Sequence, residues 1–240
     1  TGSVDGETYA GAGSYDIFFT KRSAATGSKV WSYIVGAANE DLSTAIDLSP
    51  DDNSVYVGGL CRDNLEGVTT HQGGRDIYLT KRSASTGQKI WTLITGTSAD
   101  DWINTLVVTP DGNYVYIAGR THGNLEGQTL VGNSNAYVSK RSTADGSNIW
   151  TQLMGTASDN AVRGIVSSFD GSYAYMAGWT ASSWDGQTNA GSDDAFVSKV
   201  AACSAGYYCP SGSASQVACS SGNYCPTGSI SQTQCAAGFY

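Results

Sequence analysis

The sequence predicts an all-β chain of repeated four-stranded antiparallel units, followed by a small disulfide-rich module. Three observations predict it: a composition suited to short strands joined by glycine turns, a repeat with a period near 60 residues, and a concentration of cysteine after residue 200. The 240 residues are 40% hydrophobic and 10% aromatic but only 14% charged, with 30 Gly and 4 Pro. Enough apolar surface exists for a real core, and long amphipathic helices are disfavoured. Thirteen Lys plus Arg against twenty-one Asp plus Glu give a net charge of -8, so the basic footprint of a nucleic-acid binder is absent. Apolar runs such as Leu106 to Val108 fall far short of the roughly 20 residues that a membrane helix needs, and no membrane span is expected. The opening Thr1-Gly2-Ser3-Val4-Asp5-Gly6 lacks the basic start and apolar stretch of a signal peptide, and the chain reads as a mature protein or a piece of a longer one.

The repeat is the strongest signal. Asp16-Ile17-Phe18-Phe19-Thr20-Lys21-Arg22-Ser23 returns as Asp76 to Ser83, as Asn135 to Ser142 and, in part, as Asp194 to Lys199, at offsets of 60, 59 and 59. Trp31, Trp91 and Trp150 keep the same phase, as do Gly27, Gly87 and Gly146, the turn aspartates Asp51, Asp111 and Asp170, and Tyr56, Tyr116 and Tyr175. Within one period the residues read as four strands. The first covers about 16–23. It turns at Thr26-Gly27 into a second near 29–35, where Val30, Trp31, Tyr33 and Ile34 suit a pleated, buried surface. A third follows around Thr44 to Leu48, and the turn cluster Ser49-Pro50-Asp51-Asp52-Asn53 precedes a fourth at Val55 to Gly58. A longer loop, Asn64 to Thr69, then carries the chain to the next copy. Four antiparallel strands with a long return loop describe one blade of a β-propeller.

The order Asp-x-Phe-x-x-Lys, a Trp strand, Gly followed by acidic residues, and Val-Tyr-Val-x-Gly resembles the SBBP type of β-propeller repeat over about residues 1–200. The segment Ala25-Thr26-Gly27-Ser28-Lys29-Val30-Trp31 is also similar to the tryptophan-docking repeat of quinoprotein dehydrogenases. The predicted organisation is a repeat domain over 1–200, with repeats near 16–75, 76–134 and 135–193 and a final strand at 194–200, and a stalk over 201–240. Three full repeats are fewer than the roughly four to eight blades of closed propellers, so the expectation is part of a larger propeller. An open stack, or a sheet completed by a neighbouring chain, are the alternatives.

The tail is built differently. Five of the six cysteines lie between 203 and 235; Cys203, Cys219 and Cys235 are spaced by 16, as are Cys209 and Cys225. Each unit reads Cys-x-x-Gly-x-Tyr-Cys-Pro-x-Gly-Ser among polar residues, so disulfides must stand in for a core. The spacings do not suit structural zinc, and no metal or other cofactor is expected. Pairing either follows Cys203 to Cys209 down the tail, or joins Cys209 to Cys219 and Cys225 to Cys235. Cys61, where later copies have Thr121 and Thr180, is either a buried small residue or a disulfide partner for Cys203 or another chain. The tail resembles the ephrin-receptor-like cysteine-rich repeats of large extracellular proteins, and its disulfides imply an extracellular or cell-surface location. No Asn-x-Ser/Thr acceptor occurs, while Pro210-Ser211 and Pro226-Thr227 offer a context for O-linked glycosylation.

Candidate chemistry is sparse. His71 and His122, the only histidines, occupy different positions of the repeat, in what read as loops between blades. No nucleophile-elbow motif accompanies them, so no catalytic residue is assigned and the chain reads as a non-enzyme. Glu40-Asp41, Asp100-Asp101 and Asp159-Asn160 lack the spacing of a calcium loop and read as strand-end caps. Trp31, Trp91 and Trp150 read as inter-blade packing. Trp102, Trp179 and Trp184 break the repeat, where binding specificity would reside. One member of each Lys-Arg pair is expected to reach across to the neighbouring blade, its head near an acid. These readings favour an extracellular structural protein, a subunit of a filament, flagellar hair or surface layer, partnered by copies of itself or sister subunits. The alternative is an adhesion module that binds carbohydrate; a quinoprotein-like enzyme is a weaker third.

Overall fold

The computed structural model describes residues 3–8, 15–169, 171, 173–184, 186–201, 206–208, 217–225 and 232–235. It is all-β, with propeller-type blades: among the described residues there is no helix, and hence none long and apolar enough to cross a membrane. A short hairpin of β1 (Ser3–Val4) and β2 (Glu7–Thr8) precedes a two-stranded sheet of β3 (Ile17–Arg22) and β4 (Lys29–Val35). Next comes a four-stranded meander of β5 (Leu42–Leu48), β6 (Ser54–Cys61), β7 (Asp76–Ser83) and β8 (Lys89–Thr95). A second comprises β9 (Asp101–Val108), β10 (Tyr114–Thr121), β11 (Asn135–Ser142) and β12 (Asn148–Met154), and a three-stranded sheet has β13 (Asn160–Ser167), β14 (Tyr173–Thr180) and β15 (Asp194–Ala201).

The four strands of each period form where their residues predict them, but the sheets cut the sequence in a different phase. The loop 62–75, read as the link to the next blade, joins neighbours within one sheet: Cys61 of β6 lies opposite Asp76 of β7. The short connections 36–41, 96–100 and 155–159 are the ones that pass from sheet to sheet. Each blade therefore takes the last two strands of one period and the first two of the next, which corrects the boundaries at 16–75, 76–134 and 135–193. The three four-stranded periods and the final strand are all present, as β3–β6, β7–β10, β11–β14 and β15, and the described residues arrange them with two complete four-stranded sheets. His71 and His122 consequently sit in loops inside their sheets. The physical reason is that a long loop can connect adjacent antiparallel strands as readily as distant ones, so loop length did not mark the blade edge.

The sheets stack face to face, and the core lies in the seams. Ile17, Phe19, Val55, Val57 and Tyr78 fill the first seam. Leu79, Ile103, Leu106, Ile117 and Tyr137 fill the second, and Tyr116, Val138, Val162 and Met176 the third. The innermost strands β5, β9 and β13 lean on one another, and β9 and β13 each lean over the preceding blade. At the outer edge, Lys81 pairs with Trp91 and Arg82 with Lys89, so Ile90 is an extra, bulged residue; Val30 and Ile149 repeat this. The bulge explains why these β-branched residues are exposed despite lying inside strands.

In the tail, β16 (Tyr207–Tyr208) pairs with β17 (Val217–Ala218), and β18 (Asn223–Tyr224) with β19 (Thr233–Gln234). The 16-residue period is structural: Cys219 N donates to Gly206 O, and Cys235 N to Gly222 O, each at 2.9 Å.

Candidate functional site

Two sets of polar side chains recur along the stack, one at the outer rim and one at the end where the inner strands begin. At the rim, the alternation of side chains along a strand points the two members of each Lys-Arg pair to opposite faces of the sheet. Lys81 Nζ reaches the next blade and donates to Thr143 O at 3.0 Å, and Lys21 Nζ does the same to Ala84 O at 2.9 Å. Trp91 Nε1 donates to the same Thr143 carbonyl at 3.2 Å, and Trp31 Nε1 to Ala84 O at 3.4 Å. Each indole also lies against a glycine of the next blade's turn: a Cβ on Gly146 would meet the Trp91 ring at 3.1 Å, and one on Gly87 the Trp31 ring at 2.7 Å. Both glycines have φ near +75°, which disfavours a side chain on conformational grounds as well. Trp150 packs on Tyr116 with ring centroids 5.9 Å apart, in the third seam.

The arginines make their polar contacts in their own blades, although the Arg82 guanidinium also lies 4.2 Å from the Phe19 ring of the preceding sheet. Arg82 pairs with Glu66 and Arg141 with Glu126, both guanidinium groups almost completely buried, and each arginine also donates to the turn carbonyl of Gly87 or Gly146. Arg22 pairs likewise with Asp5, in a more exposed position. Glu66 and Glu126 sit at the tips of the 62–75 and 122–134 loops in left-handed backbone, followed by Gly67 and Gly127 with φ of +83° and +81°. This corrects the expectation for the Lys-Arg pair. The member that crosses the seam meets a carbonyl, and the member that meets an acid does so at home, because the loop folds back on its own sheet. The glutamates are missed by motif reading, yet they were in phase with Asp5, and that phase was the available signal.

At the opposite extreme of the blade, the starts of the inner and third strands gather charge. Arg75 bridges Glu40 at 2.8 Å and Asp100 at 3.0 Å, tying the entries to β7, β5 and β9, and Arg62 lies 3.7 Å from Glu40. Burial pushes the Asp100 carboxyl up, but bonds from the Arg75 backbone and guanidinium outweigh it and hold the group below its ordinary range. Arg120 bonds Asp159 and Ser134, each at 2.9 Å, and its guanidinium lies 5.8 Å from the Trp102 ring and 5.7 Å from that of Trp179. His122 completes the group, its ring 5.5 Å from Trp102 and its Nδ1 2.9 Å from Asp100 O. Two of the three repeat-breaking tryptophans therefore meet around one arginine; Trp184 instead stacks on Phe196 at 4.4 Å in the last sheet.

Behind this charged layer lie the paired acids. Asp41 accepts from Ala37 N and Arg62 N, and Asp101 from Thr97 N and Oγ1 and from Thr121. Asn160 caps the third copy through Ser134 O and Ser158 O. Desolvation outweighs the backbone donors at Asp41 and raises its pKa to about 6. Among the described residues no cluster of three or more His, Cys, Asp or Glu is arranged to hold a metal ion.

Cys219 and Cys225 form a disulfide with Cα atoms 6.1 Å apart, the six-residue spacing of the first pairing considered. Cys235 forms no disulfide with another described residue. Cys61 is a free thiol, fully buried, and burial with the nearby Asp41 and Asp76 pushes its pKa far up, so it is an inert packing residue. Cys203, Cys209, Pro210, Ser211, Pro226, Thr227 and the turn aspartate Asp170 lie outside the described residues.

Residues 90–126 match the SBBP β-propeller repeat family, a stretch that runs from the Trp91 strand to the Glu126 turn. No curated protein matches the chain. Among solved structures, hydrazine synthase of Kuenenia stuttgartiensis is similar at 16% identity and a TM-score of 0.40, over 76% of this chain. The chain spans 56% of that structure.

Proposed function

We propose that the chain is an extracellular structural protein, a non-catalytic subunit of a filament, flagellar hair or surface layer. The observation that carries this reading is the seam: Lys81 and Trp91 dock on Thr143 and Gly146 by the same atoms with which Lys21 and Trp31 dock on Ala84 and Gly87. A blade with one docking face and one complementary face joins further blades by the same contacts, within a chain or between chains. The last sheet, which has no tryptophan strand among the described residues, leaves an apolar position on that side uncovered by any described residue. Val197 there is 79% exposed, whereas its counterparts Leu79 and Val138 are 0% exposed. The Cys219–Cys225 disulfide supports an oxidising compartment. Negative-stain images of native material test the reading: regular polymers or sheets are the expected result, and a dispersed monomer of about 25 kDa overturns it.

A second reading is favoured by one observation. Trp102, Arg120 and Trp179 depart from the repeat and meet at one end of the stack, the kind of aromatic and hydrogen-bonding surface that carbohydrate recognition uses. Glycan-array binding that disappears in Trp102→Ala and survives in Trp31→Phe would favour adhesion over scaffold.

A further inference from the structure

One buried carboxylate oxygen stands out. Asp76 opens β7 and is completely buried; its Oδ2 accepts from Gln72 N at 2.6 Å, while its Oδ1 has no hydrogen-bond partner. That oxygen presses on Gly96, 2.2 Å from where a Cβ would stand, and Asp101 Oδ2 lies 3.1 Å from the same point. Two carboxylates from adjacent blades thus face each other across one glycine. Their supply of donors is unequal. Asp101 receives the Thr97 N–H and hydroxyl and the Thr121 hydroxyl, a set that stabilises an anion, whereas Asp76 receives one N–H on its other oxygen.

The next seam shows what the position requires. There the pair is Asn135 and Asn160, facing each other across Gly155. Asn135 Oδ1 accepts from Val131 N at 2.8 Å, the counterpart of Gln72 N on Asp76 Oδ2, and this fixes the amide's orientation. Its Nδ2, in the place of Asp76 Oδ1, donates to Val131 O at 3.1 Å and to Ser134 O at 3.4 Å. The site thus takes a donor beside backbone carbonyls. An ionised oxygen in that position has no donor, as at Asp76 Oδ1, and carries the cost of burying an unpaired charge. A carboxylic acid has the shape of the amide and an O–H where the amide has its N–H.

We propose that Asp76 is a buried proton site: Oδ1 carries a proton in the native protein, and the Asp76–Asp101 pair holds a single negative charge. Of the groups facing it from other elements, His71 is the one that opposes the proton, because a charge on its ring lowers the Asp76 pKa, and burial outweighs it. His71, in the 62–75 loop, stands 3.8 Å from Oδ2 with the same ring nitrogen 3.3 Å from Gly74 O. Cys61, opposite on β6, is a neutral thiol, and Arg75 directs its guanidinium away, to Glu40 and Asp100. Burial raises the carboxyls of both Asp76 and Asp101.

A group with a raised folded pKa stabilises the fold fully below its unfolded value and loses that contribution as pH rises through the folded one. Alkali therefore loosens the seam between the β5–β8 and β9–β12 sheets, and leaves the neighbouring Asn135–Asn160 seam unaffected.

The test is thermal melting of the full chain and its Asp76→Asn variant at about pH 5 and about pH 9, where the two carboxylate states separate. The variant is expected to match wild type in acid and to melt a few degrees, roughly 2–4 °C or more, above it in alkali. An equal loss at both pH values overturns the proposal. Should the variant not fold, carbon-13 labelling of aspartate in wild type decides: one carboxyl that stays in the protonated range through neutral pH supports the site, and complete ionisation of all of them overturns it. His71→Gln should keep the alkaline loss; its disappearance would assign the titration to His71. Stabilisation by calcium chloride or sodium chloride that needs Asp76, with its carboxyl ionised, would replace the proton by a cation and also overturn the proposal.

Discussion

The blades and the tail solve the same problem by opposite means. In the blades, order comes from burial: Tyr78, Leu79, Ile117 and Tyr137 are all 0% exposed, and the described strands hold no disulfide. Among the described residues of the tail, two-residue strands with largely exposed side chains are held by one covalent bond and a few backbone contacts. A seam between two sheets supplies tens of partner atoms per side chain, whereas a 16-residue unit has no second layer to bury against. Repetition therefore has different contents in the two regions. The blades repeat a set of contacts between units, and the tail repeats a turn.

Perturbations of different size break or sharpen this contrast. The largest effect is expected from Glu126→Ala, which removes the carboxylate partner of the buried Arg141 guanidinium and one of the acceptors of the Thr151 hydroxyl. A loss of about 3–5 kcal/mol in denaturant unfolding of the blades is expected; a loss under about 1 kcal/mol would mean that these pairs are ornaments of the loop. Next is the pH profile. Asp41, with a pKa raised by burial to about 6, contributes stability that is complete below its unfolded value near 3.8 and fades as pH rises through 6. The expected decline is roughly 2–3 kcal/mol between about pH 4 and pH 7. Asp41→Asn should flatten that part of the profile and yet cost stability throughout, because both Asp41 oxygens accept backbone N–H bonds and an amide offers one acceptor.

A smaller effect is expected at the rim. Trp91→Phe removes the bond to Thr143 O, which keeps Lys81, and should cost about 0.5–1.5 kcal/mol in the same unfolding experiment. The smallest separates the two regions: reducing Cys219–Cys225 should leave the blade transition within about 0.5 kcal/mol of its oxidised value while the tail loses protection against proteolysis. A large shift in the blade midpoint would show that the tail braces the stack.

Much of the fold was legible. Strand positions followed from alternation and β-branched or aromatic residues, and the 60-residue phase exposed the landmarks now seen in the seams. The phase also contained the Glu66 and Glu126 partners of Arg82 and Arg141, although a pairing between loop tip and strand end is invisible until the loop is known to fold back on its own sheet. The charged layer was less legible. Arg75 and Arg120 come from different strand ends and occupy positions that differ in every copy, although their acidic partners Glu40, Asp100 and Asp159 keep one phase.

The sequence by itself determined the β class, the strands, their period and the chemical division between blades and stalk, because side-chain periodicity and composition are local properties that each segment carries alone. Tertiary structure decided where a blade begins, which member of each Lys-Arg pair crosses a seam, and that Asp76 faces Asp101 where Asn135 faces Asn160. Those outcomes depend on which strands become neighbours in space. A repeating sequence is the same read from any starting point, so its blade boundary is set by packing and hydrogen-bond closure rather than by any one residue.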